Sequence, residues 1–179
     1  PDNSFMAWDG QANPFSAWNA DQTLSSAMAA SVNWYFQTLD AQLGNERLTA
    51  YFQKIGYGNG DVTGDISSYW MESSLKISPI EQVELLTKLY QNEFDFAPEN
   101  IEAVKEAIQL SASSDTALYG KTGTGRVNGE DINGWFVGSV EDGQHTYVFA
   151  CNIQSDENAT GSRASEIALS ILSDQHILP

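Results

Sequence analysis

Lys121-Thr122-Gly123-Thr124-Gly125 packs a cation, two hydroxyls and two glycines into five residues, and the reading of the fold turns on it. Ahead of it, Thr116-Ala117-Leu118-Tyr119 reads as a strand. Behind it, residues 126–131 are turn-rich and residues 132–140 predict a second strand. Asp142-Gly143 signals a tight turn, and residues 145–153 predict a third strand. The five residues therefore lie on the first strand of an antiparallel meander. Glycine weakens a strand unless something must approach the backbone closely. An acyl substrate carrying a carboxylate is one such visitor; a basic edge strand with a glycine bulge is the alternative.

The chain has 179 residues, the size of one domain or most of one. Its 41% hydrophobic content is enough to bury a core. A formal charge of −16 argues against nucleic acid, whose phosphates need a basic footprint, and against an anionic membrane surface. On that background the cations Lys121, Arg126 and Arg163 are the candidates to hold an anionic ligand. The single cysteine, Cys151, lies in the apolar third strand and reads as a packing residue, so no disulfide can form within the chain. His145 and His176 belong to no ligand-spaced cluster, and no metal is expected. No apolar run is long enough to span a bilayer. The chain opens on Pro1, not methionine, and reads as an excised piece of a longer protein.

Residues 1–20 are loop-like, with Trp8 and Trp18. A helix is expected after Asp21 as N-cap, running through Leu24, Met28 and Ala29. A second helix follows Ser31-Val32-Asn33 and ends at Gly44-Asn45, and a third spans 46–55. Residues 61–73 read as irregular. Ser78-Pro79-Ile80-Glu81 is a helix start with a serine cap, a first-turn proline and a glutamate three residues on. Pro98 opens another helix with Ile101, Val104, Ala107 and Ile108 on one face. Ala164, Ile167, Ala168, Ile171 and Leu172 mark a closing helix. Helices, an antiparallel sheet and a terminal helix predict a mixed α/β (α+β) sandwich, residues 1–179 forming most of a single domain.

Serine acyl transfer needs a nucleophile, a proton shuttle and an oxyanion hole. Ser31-Val32-Asn33 and Lys121-Thr122-Gly123 resemble, in order and spacing, the second and third motifs of the penicillin-recognising serine enzymes. Trp34-Tyr35-Phe36-Gln37, Tyr57-Gly58-Asn59, Tyr69-Trp70, residues 73–83 and Gly134-Trp135-Phe136-Val137-Gly138 narrow the likeness. They resemble the class D β-lactamases, and still more the extracellular sensor domains of the membrane β-lactam receptors that induce β-lactam and methicillin resistance. The resemblance runs from about Trp8 to Leu178. It implies a serine β-lactamase/D,D-peptidase-like fold whose opening motif, Ser-x-x-Lys, lies upstream of this chain. Ser73-Ser74-Leu75-Lys76 fits that pattern on paper but falls between the second and third motifs, where the family has a structural segment.

The same resemblance implies the roles. Ser31 would be the proton shuttle to the departing ring nitrogen, with a helix-end cap as the alternative. Asn33 would offer its amide to the ligand's acylamino group. Lys121 would supply positive potential for the ligand carboxylate, Thr122 and Thr124 hydroxyls would bind it, and Gly123 would let it approach. The backbone N–H of Thr124 would be half of the oxyanion hole. Trp70 resembles the tryptophan lining the pocket of the absent motif-one lysine, which can carry a carbon-dioxide-derived carbamate, or else it is a core residue. No other cofactor is implied. Tyr57-Gly58-Asn59 reads as a loop brace, and Arg163 falls near a carboxylate-binding arginine. The implied ligands are β-lactam antibiotics, and peptidoglycan-like peptides if the chain is a D,D-peptidase. A receptor would add upstream membrane spans and hold this domain on the extracellular face of a bacterial membrane; a lactamase would be secreted. Asn33, where class D enzymes usually carry an apolar residue, tilts the reading toward a sensor.

Overall fold

The structure, a computed structural model, describes residues 5–178. Its sheet is an antiparallel meander of four strands in chain order: β1 (Gln109–Ala112), β2 (Ala117–Val127), β3 (Glu130–Glu141) and β4 (Thr146–Gln154). The Lys121–Gly125 stretch sits in the middle of β2, as the sequence predicts, but within a single 11-residue strand. The turn-rich 126–131 segment contracts to the two-residue turn Asn128-Gly129. Both residues have positive φ (52° and 91°), the backbone that matches the twist of a hairpin. The strand β1 was not expected. Its residues are all exposed and only three of them pair with β2, so little in its composition marks it.

The helices follow their local signals with one correction. Helix α1 (Leu24–Ala29) is capped by Thr23, whose hydroxyl accepts from Ser26 N; Asp21 instead accepts the Trp8 N–H at 2.9 Å. Helix α2 (Asn33–Ile55) is broken at Gly44 (φ 78°, ψ 158°), the predicted division into two helices, and ends at left-handed Gly56. Ser78 and Glu81 form the predicted reciprocal cap on α3 (Pro79–Tyr90). Pro98 opens α4 (Pro98–Ala107), and α5 (Gly161–Asp174) closes the fold.

Two layers result. Helix α5 lies on one face of the sheet, where Phe136 packs with Ala164 and Ala168, and Leu118 and Val140 pack with Leu172. The small residues at 164 and 168 let the helix approach closely. Ile167 and Ile171, expected in the same stripe, are 39% and 55% exposed. They flank the 164/168/172 row, and the face of a helix that meets a sheet is only about 100° wide. The helical half has its own cores, Ala27-Val32-Tyr35 and Leu48-Val62-Tyr69. No helix among the described residues is long and apolar enough to cross a membrane.

Candidate active site

The site forms where the helical half meets β2. Ser31 occupies the turn between α1 and α2, held by three main-chain anchors. Val32 N–H donates to Ala27 O at 2.9 Å, Ser31 N–H donates to Met28 O at 3.3 Å, and the Trp18 indole donates to Ala30 O at 3.0 Å. Val32 is fully buried, so Ser31 and Asn33 flank a fixed post. Ser31 has φ 53°, a left-handed backbone that non-glycine residues rarely adopt and that clusters at functional sites. Helix α2 has no side-chain cap, so Ser31 does not serve as one. Its hydroxyl meets Lys121 Nζ in a short hydrogen bond, joining motifs 90 residues apart.

Lys121 Nζ also donates to Thr122 O at 3.0 Å. Burial pushes its pKa below the ordinary lysine value of 10.5. Among the described residues no carboxylate pairs with it, although the chain is strongly acidic. An amine with hydroxyl and carbonyl partners and no counter-ion is a place for an anion.

Strand alternation sorts the rest of the motif. Lys121, Gly123 and Gly125 face the helical half; Thr122 and Thr124 face the α5 side. A methyl built on Gly123 would meet only Trp135 Cβ, at 3.7 Å, so packing does not require this glycine and the space in front of it is open. Gly120 donates its N–H to Ile108 O, on the edge away from β3. By the same alternation the Thr124 N–H faces that edge, and the pairing of β1 with β2 ends at Tyr119. Thr124 Oγ1 accepts the Gly161 N–H at 2.9 Å, which leaves its own proton available to donate. Thr122 is exposed.

The other predicted residues divide. Asn33 Nδ2 donates to Met71 Sδ at 3.6 Å and lies on the first turn of α2, two residues after Ser31. The Trp70 indole donates to Asp40 Oδ2 at 3.1 Å, and burial raises the Asp40 carboxyl pKa against the lowering effect of hydrogen bonds from Tyr69 and Trp70. Arg163 is an exposed residue of the first turn of α5, two positions from Gly161, and its N–H donates to the capping Thr160 hydroxyl at 3.2 Å. Arg126, offered above as an anion-holding cation, is instead ion-paired with Asp131 at 2.7 Å. Ser73 and Lys76 lie in irregular chain, where a spacing of three does not share a helical face. Asn59 braces that segment through Lys76 O, Lys76 N and Ser74 O, each at 2.9 Å. Cys151 is half-buried beside the Phe136 cluster.

Sequence reasoning missed Asp40, Met71 and Gly161. Only Gly161 left a signal, a glycine directly after a threonine at a helix start. A methyl there would sit 2.6 Å from Gly123 O, so the helix touches the strand at this point.

A meander closed by a helix, with a helical half set against its lysine-bearing strand, defines the class of penicillin-recognising serine proteins. Over residues 1–173 the sequence matches the penicillin binding protein transpeptidase domain, and the chain belongs to that family. Within it the chain is 50% identical over 177 residues to "Regulatory protein BlaR1" of Bacillus licheniformis, covering 99% of this chain and 29% of that protein. The solved C-terminal domain of the Bacillus licheniformis BlaR penicillin-receptor superposes with a TM-score of 0.93 at 50% identity, over 99% of this chain and 72% of that one. A class D β-lactamase from Bacillus subtilis superposes with a TM-score of 0.91 at 36% identity, over 99% of this chain and 73% of the enzyme. The fold expected from the motifs is therefore the observed one, and sensors and class D lactamases are both its relatives.

Proposed function

We propose that this chain is most of the sensor domain of a membrane β-lactam receptor, recognising the antibiotic by acylation of a serine supplied by chain upstream of Pro1. The observation that carries the reading is the contact of Lys121 with Ser31 beside the open floor at Gly123. In the acylation step the nucleophile's Oγ bonds to the lactam carbonyl carbon and the ring C–N bond breaks. The proton the nucleophile loses is taken up by the motif-one lysine and replaces the one that Ser31 passes to the departing nitrogen. Lys121, donating to the Ser31 hydroxyl, stays charged and helps it shed that proton. The Thr124 N–H, with that of the nucleophile, stabilises the oxyanion. The ligand carboxylate lies at the edge of β2 that β1 leaves unpaired beyond Tyr119, where Lys121 reaches it from one face of the strand and the Thr122 and Thr124 hydroxyls from the other. Arg163 adds positive charge nearby, and Asn33 holds the acylamino arm. Trp70 lines the wall toward the motif-one lysine and any carbamate it carries. The domain works on the extracellular face of a bacterial membrane, and the persisting adduct is the signal that induces resistance.

The class D likeness supports a second reading, in which the same acylation is followed by rapid hydrolysis. Intact-protein mass separates them when the full-length protein is mixed with benzylpenicillin. A stoichiometric adduct that persists for hours is expected of the sensor. An adduct that vanishes, or never accumulates, while the drug is consumed identifies a lactamase, and a protein that neither gains mass nor consumes the drug refutes both.

A further inference from the structure

Gly123 keeps the floor of the site open, but Gly125 needs a different explanation. A methyl at Gly125 would fall 2.0 Å from Glu72 Oε1, 2.5 Å from its Cδ and 2.7 Å from its Cγ. The Glu72 side chain therefore lies flat on the Cα of the last residue of the five. From there its Oε1 accepts the Asn133 Nδ2 N–H at 2.7 Å. Asn133 Oδ1 in turn accepts from Asn152 Nδ2 at 2.6 Å, and Asn152 Oδ1 accepts from Gln154 Nε2 at 3.1 Å. A side chain of the irregular segment is thus anchored across β2, β3 and β4.

The two residues before it reach the opposite wall. Trp70 bonds to Asp40 on α2, and Met71 receives the Asn33 amide on the first turn of that helix. Glu72 itself has φ 48°, a left-handed backbone held by a non-glycine residue. Three consecutive side chains thus tie the helix carrying Asn33, which begins two residues after Ser31, to the strand carrying Lys121. The open space over Gly123 lies between the Lys121–Ser31 contact and the Glu72–Gly125 contact.

The geometry points to Glu72 as a positioning residue for acylation: a strut, seated on Gly125 and anchored by Asn133, that fixes the gap between the Ser31–Asn33 turn and the Lys121 strand. The inference rests on the acylation reading above. It requires of Glu72 an acceptor oxygen and a length, not a charge, and it makes Gly125 the matching seat. Misplacing reacting groups by about 1 Å costs on the order of a hundredfold in rate, which sets the scale of the effect.

The test measures the second-order rate of labelling of the full-length protein by a fluorescent penicillin, per folded molecule. Glu72→Ala should slow labelling about tenfold to a hundredfold. Glu72→Gln should stay within about threefold of the wild type, because the amide oxygen accepts the same N–H. Gly125→Ala should be as slow as Glu72→Ala, because its methyl takes the carboxylate's place. Added to Glu72→Ala it should cost no more than about a further twofold, since the two changes remove one contact. Labelling of Glu72→Ala at the wild-type rate would overturn the strut, as would a Glu72→Gln variant as slow as Glu72→Ala. If Glu72→Ala does not fold, Gly125→Ala against Glu72→Gln decides the same question. A wild-type protein that takes no label defeats the acylation reading and the strut together, whereas a labelled wild type with indifferent variants defeats the strut alone.

Discussion

Gly161→Ala tests how closely the terminal helix must approach the lysine-bearing strand. The added methyl would stand 2.6 Å from Gly123 O and 3.0 Å from both Gly123 N and Thr122 Cβ, where ordinary contact begins at 3.4 Å. Two of these neighbours are backbone atoms in the middle of the sheet and cannot swing aside, so the first turn of α5 must retreat by several tenths of an ångström. Overpacking of this kind costs about 1–3 kcal/mol. The retreat also stretches the Gly161 N–H to Thr124 Oγ1 bond from 2.9 Å, with a loss of about 1 kcal/mol. Against this, alanine restricts the unfolded chain and returns about 0.4–1 kcal/mol. The steric term wins, leaving a net destabilisation of roughly 1.5–3 kcal/mol. For a chain of this size the thermal midpoint should fall by roughly 4–10 °C. Differential scanning calorimetry reads it, with the exposed neighbour Ser162→Ala as a control expected within about 0.5 kcal/mol of wild type. Penicillin labelling should slow as well, because the retreating Gly161 N–H no longer fixes the Thr124 hydroxyl. A Gly161→Ala midpoint equal to or above the wild type would refute the close-approach argument.

Lys121→Met should abolish most labelling and also change the pH profile of stability. The native Lys121 pKa lies below 10.5, so between its native and unfolded values the unfolded chain binds more protons, and wild-type stability rises with pH through that window. Urea unfolding at a series of alkaline pH values should show that rise diminished in the variant; the tyrosines common to both proteins cancel in the comparison, and identical slopes would contradict the burial argument. Phe136→Ala removes a fully buried ring packed on Ala164, Ala168 and Phe149, and should cost about 3–5 kcal/mol in urea unfolding; a cost under about 1 kcal/mol would mean that α5 does not seal this core.

Much of the fold was legible because its signals are local. The serine–proline–glutamate start of α3, the break at Gly44 and the meander after Lys121 each depend on residues within a few positions of one another, and each stands where the sequence puts it. The misses have the same origin in reverse. Asp21 and Thr23 are both good N-caps, and the choice between them was made by Trp8, 13 residues from Asp21, which takes the aspartate. Ile167 and Ile171 sit at helical spacing, but which flank of the stripe meets the sheet depends on how α5 is rolled against β3.

The same division runs through the site. The sequence by itself determined the motif pair and the family, because a lysine–threonine–glycine strand and a serine–x–asparagine turn are written in adjacent residues. Only the tertiary structure decided that Lys121 reaches Ser31, that Arg126 is taken by Asp131, and that Gly125 exists for Glu72 while Gly123 exists for an open floor. Identical glycines two positions apart carry no mark of their difference. What distinguishes them is the neighbour opposite each Cα, and that is set by packing between halves of the chain separated by dozens of residues.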